Sequence, residues 1–359
     1  MRILQIVPSL EMGGVERNTI QSAIIIKKNR MIPLVISSGG KMVSELNKES
    51  IQHIKLWVNS KNPFIMIINA FIIAMIIFLK KINIVHVRSR APAWSTWLAC
   101  KLTGAIMITT FHGSYSGYNN CIKRKYNSIM TCGKKTIVSN QYMKTHLQTY
   151  YQKNNIKIIP RGVCLDKFKN ISKDRILFMK QKYNIINQFV VSLPGRLTDW
   201  KGQKVFLEGI KYIDSKDIKY LIIGDGNNNY YQELQNYIFK HNLPVTIDKN
   251  CKDIATMYQI SDIVISASTK SETFGRIAVE GMASGKIVIA TNIGGSTQTI
   301  VNYKSGFLIQ PNNPKILAEY IINIKNKNLT LNIKDILDQA DKFSLKNYEK
   351  NIISFYKSL

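Results

Sequence analysis

Acidic residues are scarce at the start of this 359-residue chain, and that scarcity is its first clue. Residues 1–165 carry 23 Lys and Arg against four acids, Glu11, Glu16, Glu45 and Glu49, a net of +19. Residues 166–359 carry 27 against 18, a net of +9, and the whole chain stands at +28. A mere compositional excess of lysine would spread evenly. A basic half beside a milder one is expected to meet an anionic surface, and a membrane is favoured over nucleic acid because no nucleic-acid-binding motif accompanies the charge. Cysteines are few and odd in number (Cys100, Cys121, Cys132, Cys164, Cys251) with no C-x-x-C. That argues against a disulfide frame or a zinc site and for reduced thiols in a cytoplasm. No D-x-D occurs, so a chelating acid pair is missing and no metal is expected. No apolar run is long enough to span a bilayer, which takes roughly 20 residues. The longest, Phe64–Leu79, is interrupted by Asn69 and flanked by Lys61 and Lys80-Lys81. It reads as a core helix buried against a sheet, with a helix dipped into a bilayer interface as the alternative. Met1-Arg2 leads straight into an apolar strand pattern, so no secretory signal is expected.

What is present is ample apolar sequence, 45% of the chain, in a length that suits two domains. Short apolar runs (Ile3–Val7, Pro33–Ser37, Ile84–Ser89, Ile106–Phe111, Lys135–Ser139, Ile156–Pro160) alternate with helical patterns such as Val15–Lys28 and Gln141–Tyr150. After a polar connector, Asp166–Asn187, the rhythm restarts at Phe189–Leu193, Lys219–Ile223, Val245–Ile247, Ile263–Ala267 and Ile287–Thr291. Such alternation predicts an α/β fold of two doubly wound, Rossmann-like domains with parallel sheets and a ligand cleft at the strands' carboxyl ends. The expected division is 1–165, 166–341, and a final amphipathic helix within 342–359 that packs back on the first domain.

Four places carry chemistry. Ser271–Gly285 sets Glu272 in a loop after an apolar strand and Glu280 in the following helix, with Gly275 at that helix's start. Carboxylates suit sugar hydroxyls, and exposed N–H groups at a helix start suit phosphate. Gly13-Gly14 opens a helix after the first strand and could cradle phosphate, although a turn that simply requires glycine fits equally. The spacing is not a dinucleotide fingerprint. Arg196 and Lys201 flank the end of the strand Phe189–Leu193 and the next helix; together they suit a departing diphosphate. His112 follows the strand Ile106–Phe111 and is expected to face a cleft, with a backbone-bonded structural role as the alternative, whereas His86 lies within a strand and is expected in the core.

Gly13-Gly14-Val15-Glu16-Arg17, His112-Gly113, Gly195-Arg196 with Lys201-Gly202, Gly224-Asp225-Gly226 and Glu272-x7-Glu280 occur in this order. Together they resemble the family-4 retaining glycosyltransferases of the GT-B fold. Arg88–Trp94 with Thr110–Gly113 is similar to transferases that build lipopolysaccharide core and cell envelope. The resemblance implies donor binding by Gly13, Gly14, Arg196, Lys201, Glu272, Phe274, Gly275 and Glu280, the last on the nucleoside ribose. It implies catalytic roles for His112, Arg196, Lys201 and Glu272, with His112 near the reacting carbon. Asp248-Lys249, where relatives usually carry Gly, and Gln298, where many have an acid, depart from the pattern.

The implied activity is metal-independent, cofactor-free transfer of a hexose from a nucleotide-diphosphate sugar to a lipid-linked or saccharide acceptor. The enzyme would act peripherally on the cytoplasmic face of the inner membrane, with an anionic membrane surface and no nucleic acid as partner. Rival readings are a nucleotide-sugar epimerase on the same scaffold and a non-catalytic sugar or nucleic-acid binder.

Overall fold

The structure is a computed structural model that describes residues 1–11, 13–113, 115 and 119–359. The chain divides into two compact units, Met1–Gly162 with Lys346–Leu359, and Val163–Leu345. The first unit is built on seven parallel strands: β1 (Arg2–Ile6), β2 (Ile32–Ser37), β3 (Gln52–Lys55), β4 (Ile84–Val87), β5 (Ile106–Phe111), β6 (Lys135–Val138) and β7 (Ile156–Ile158). Their order is β3-β2-β1-β4-β5-β6-β7. The central strands are buried on both faces because helices cover both: Leu4, Ile6, Val85 and Val87 fill one face, and Ile3, Ile84, Gln5 and His86 lie buried on the other. Leu4 pairs with Leu34 on one side and Val85 on the other. Connections therefore leave β1 and β4 in opposite directions, which opens a crevice at their carboxyl ends.

The second unit repeats the plan with β8 (Phe189–Pro194), β9 (Ile218–Ile223), β10 (Val245–Asp248), β11 (Ile263–Ser266), β12 (Ile287–Thr291) and β13 (Phe307–Ile309). The order is β10-β9-β8-β11-β12-β13, again all parallel, with Val191 of β8 between Tyr220 and Ile263. The reversal here falls between β8 and β11. The loops after these two strands hold most of the residues singled out in the sequence.

Three expectations need correction. The stretch Asp166–Asn187 is no mere connector: it contains the helix Lys173–Lys182, whose Arg175 grips Asp253 at 2.7 and 3.0 Å. Only Met179 of that helix is buried, so its sequence lacks an apolar stripe. The unit boundaries lie at 162/163 and 345/346 rather than at 165 and 341. Val163 N donates to Phe343 O at 2.9 Å and Leu345 N to Val163 O at 2.9 Å, tying both crossings into the second unit. The apolar run forms the helix Pro63–Leu79, but the core reading holds for one face alone. Asn69, Ala70, Ile73, Ile76 and Ile77 are buried, with Asn69 Nδ2 bonded to Trp57 O at 3.0 Å, while Phe64, Phe71 and Phe78 are exposed. No described helix is long and apolar enough to cross a membrane.

The last helix, Leu345–Lys357, is fastened into the first unit by two tyrosines. Tyr348 Oη lies 2.7 Å from Ser22 Oγ, and Tyr356 Oη lies 2.7 Å from His86 Nδ1. The other ring nitrogen of His86 is 2.6 Å from Thr110 Oγ1, so this core histidine has both nitrogens partnered. Tyr356→Phe leaves a buried nitrogen without its partner and should lower stability by about 1–3 kcal/mol. Urea unfolding checks this; an unchanged midpoint would show that the bond contributes nothing.

Candidate active site

The β8 and β11 loops of the second unit approach each other through glycine. Gly202 has φ +79° and precedes the helix Gln203–Ile210; a Cβ there would collide with the carbonyl oxygen of Ala267. Only glycine permits both the left-handed backbone and that approach. Thr269 N donates to Trp200 O at 2.8 Å, which fixes the two loops together. Lys201 is thereby brought to Glu272, with Nζ 2.7 Å from Oε1 and both side chains largely buried, at 12% and 14% exposure. Ser268 Oγ donates to the same carboxylate oxygen. The indole of Trp200 lies under the ammonium, 4.7 Å from ring centre to Nζ.

Glu280 is held separately. It sits in the helix Arg276–Ala283, entered through Gly275 at φ +69°, and accepts from Tyr258 Oη at 2.9 Å and Arg276 Nε at 2.6 Å. Burial, then the adjacent Glu280 charge, holds the Tyr258 hydroxyl well above the usual phenol range, so it stays a donor. Phe274 is a core side chain, packed edge-on against Phe343 at 5.7 Å, which leaves its backbone as the part able to meet a ligand. Arg196 projects as an exposed side chain at the end of β8, while its carbonyl accepts from Gln203 Nε2 at 3.0 Å. Asp248 is occupied by Lys182 at 2.5 Å and Tyr183 at 2.8 Å, and Gln298 is exposed in the short helix Ser296–Thr299. Among the described residues, no group of three or more His, Cys, Asp or Glu is placed to hold a metal ion.

In the first unit, Gly13 precedes the helix Gly14–Lys28, and the Glu16 carboxylate folds back so closely that any Cβ on Gly13 would strike it. A Cβ on Gly14 would lie 3.2 Å from Arg161 Nη1. Arg161 Nη2 in turn lies 3.0 Å from His112 Nδ1. A guanidinium can only donate, so Nδ1 must accept and the proton of neutral His112 sits on Nε2. That Nε2 is buried without a partner among the described residues. Burial first, then the charges of Arg161 and Arg88, drive the His112 pKa well below 6.5. Arg88 is itself 2% exposed, and its four hydrogen bonds run to neutral oxygens of Gln5, Asn18 and Ser22. His112 is thus a neutral hydrogen-bond donor rather than a base.

So Lys201 and Glu272 are joined, Glu280 has partners of its own, and Gly13, Gly14 and His112 belong to the other unit. Ser268, Tyr258, Arg276 and Arg161 were not anticipated. Arg276 was legible, since it stands four residues before Glu280 on one helix face. Arg161 was not, because nothing local marks an arginine 49 residues from the histidine it meets.

Two family models cover nearly all of the chain: Glycosyltransferase Family 4 over residues 12–167 and Glycosyl transferases group 1 over residues 176–343. A glycosyltransferase from Rickettsia africae ESF-5 superposes with TM-score 0.90 at 40% identity, covering 99% of this chain and 98% of that one. The chain is a family-4 glycosyltransferase. Its architecture is GT-B. Among the transferase's other relatives, an uncharacterized glycosyltransferase of Methanocaldococcus jannaschii is 31% identical over 70% of this chain and 67% of its own. The UDP-Gal:alpha-D-GlcNAc-diphosphoundecaprenol alpha-1,3-galactosyltransferase of Escherichia coli is 26% identical over 90% and 89%. Anabaena Alr3699/HepE, solved with UDP-glucose, shares the fold at TM-score 0.82 and 21% identity over the full length of both chains.

In the transferase, nitrogen-15 spectra should show His112 neutral at pH 6.5 with its proton on Nε2. Arg161→Gln, which removes a positive neighbour, should raise the His112 pKa towards 6.5. The unfolded chain takes up a proton near 6.5 that the folded site refuses. The His112 contribution to stability is therefore intact above that pH and lost as pH falls below it. A wild-type imidazole titrating at 6.5 would contradict the Arg161 contact.

Proposed function

We propose that the transferase moves a hexose from a nucleotide-diphosphate sugar to a lipid-linked or saccharide acceptor, with retention of anomeric configuration and without a metal. The Lys201–Glu272 pair carries this reading. It sets a cation fit for diphosphate beside a carboxylate fit for sugar hydroxyls, at the chain reversal where ligands bind in doubly wound sheets. When the bond from the anomeric carbon to the phosphate oxygen breaks, negative charge grows on the leaving diphosphate. Arg196 and Lys201 stabilise that charge, and the helix start at Gly275 adds its N–H groups. The acceptor oxygen bonds to the anomeric carbon and its proton passes to the departing phosphate oxygen, so no protein base is required. Glu272 and the backbone at Phe274-Gly275 grip hydroxyls of the transferred sugar, Glu280 the ribose, and His112 Nε2–H a substrate hydroxyl. The Escherichia coli galactosyltransferase, named for UDP-Gal and a diphosphoundecaprenol acceptor, and HepE with its UDP-glucose support this donor class and a lipid diphosphate as the acceptor class. With such an acceptor the enzyme works peripherally at the cytoplasmic face of the inner membrane.

Arg196→Ala and Lys201→Ala should each lower turnover roughly 10²–10³-fold, the usual loss when one charge-stabilising donor is removed. Wild-type rates in either variant would refute the assignment, and loss of activity in EDTA would refute metal independence. In a thermal-shift panel of UDP, GDP and ADP, the matching diphosphate should raise the unfolding midpoint. With radiolabelled donor, label should move into acceptor; isomerised sugar without acceptor would favour an epimerase.

A further inference from the structure

The helix Pro63–Leu79 has a buried face in the core of the first unit and a second apolar face that is exposed. Phe64, Ile68, Phe71, Met75, Phe78 and Leu79 stand out with Phe64 77% and Phe78 79% exposed. They recur every three or four residues, so they form one continuous stripe about 22 Å long at 1.5 Å per residue. Trp57, also exposed, is tied beside the helix through its carbonyl to Asn69. An exposed stripe of this length marks a docking surface.

We infer that this stripe is the surface by which the protein lies on an anionic lipid bilayer. Two observations choose lipid over a protein partner. The stripe offers no side-chain donor or acceptor, whereas protein interfaces carry about one hydrogen bond per 100–200 Å². Exposed lysines stand at both of its ends, Lys61 before it and Lys80 and Lys81 after it, and no acid occurs anywhere between residues 50 and 165. An apolar face flanked by cations matches an acyl boundary beneath negative headgroups. The helix is 17 residues long and one face of it is committed to the core, so it lies in the interface and does not cross. The inference deepens the peripheral location proposed above and rests on that part of the reading alone.

The test is flotation of the full chain with phosphatidylcholine vesicles, with and without phosphatidylglycerol. The expected result is binding to the anionic vesicles. Phe71→Gln with Phe78→Gln should weaken it at least about tenfold, given the apolar area two phenylalanines withdraw from water. Lys80→Glu with Lys81→Glu should remove the preference for phosphatidylglycerol, at about fivefold per lysine at low salt. All four positions are exposed, so the thermal midpoint and the midpoint shift by UDP, GDP or ADP should be unchanged. Absence of wild-type flotation, or flotation unaltered in the phenylalanine variant, overturns the inference. So does a wild-type dimer that becomes monomeric in the phenylalanine variant, because the stripe then serves a second copy. Loss of the nucleotide response in Lys201→Ala alone bears on the catalytic reading and leaves this one standing.

Discussion

A parallel sheet buried on both faces obliges each strand to be followed by a covering helix, and this obligation organises both units. Every chain return then runs outside the sheet, and every strand ends on the same edge. The order reverses once in each sheet, beside β1 in the first and beside β8 in the second, and no covering helix can fill the gap at that point. Lys201 and Glu272 come from the two loops that flank the gap in the second unit, 71 residues apart in sequence. Their meeting depends on backbone contact at Gly202, so the geometry of the ion pair is inherited from the sheet and not built by the side chains themselves.

Electrostatic character differs between the units in kind as well as amount. In the second, two cations near the reversal have carboxylate partners: Lys201 with Glu272 and Arg276 with Glu280. In the first, Arg88 is buried among neutral oxygens; burial chiefly depresses the pKa of both His86 and His112, and the Arg88 charge adds to it. Burying a guanidinium without a counter-charge is unfavourable, and several neutral acceptors offset only part of the loss. The positive potential that results is fixed in place. Together with burial, the larger cause, it keeps both imidazoles uncharged and leaves His112 as a donor of hydrogen bonds.

Much of the fold could be read from the chain because fully buried strands declare themselves as apolar runs, and glycine marks their turns. Two of the misses have a common cause. The edge strand β3 (sequence Gln-His-Ile-Lys) is only partly buried, and the helix Lys173–Lys182 buries a single side chain, so neither shows a period. The same limit applies at the site. Glu272, Glu280, Lys201 and Gly275 stand in local patterns that single them out as candidates. Arg161, Ser268 and Tyr258 act through contacts made only by folding, and no nearby residue announces them. The apolar helix was placed correctly along the chain but half misjudged, since composition cannot tell a helix covered on both sides from one covered on one.

The two tyrosines of the last helix bear on how the molecule is made. The first unit includes residues 346–359, and Ser22 and His86 wait for hydroxyls supplied by Tyr348 and Tyr356. The second unit, in contrast, is one uninterrupted segment. During synthesis the amino-terminal sheet therefore emerges first yet stays incomplete until residues 346–359 have been made, while the segment 163–345 already holds all of its own strands. Completion of the amino-terminal body thus waits on a helix made after the second body, which departs from the usual vectorial order of amino-terminal body first.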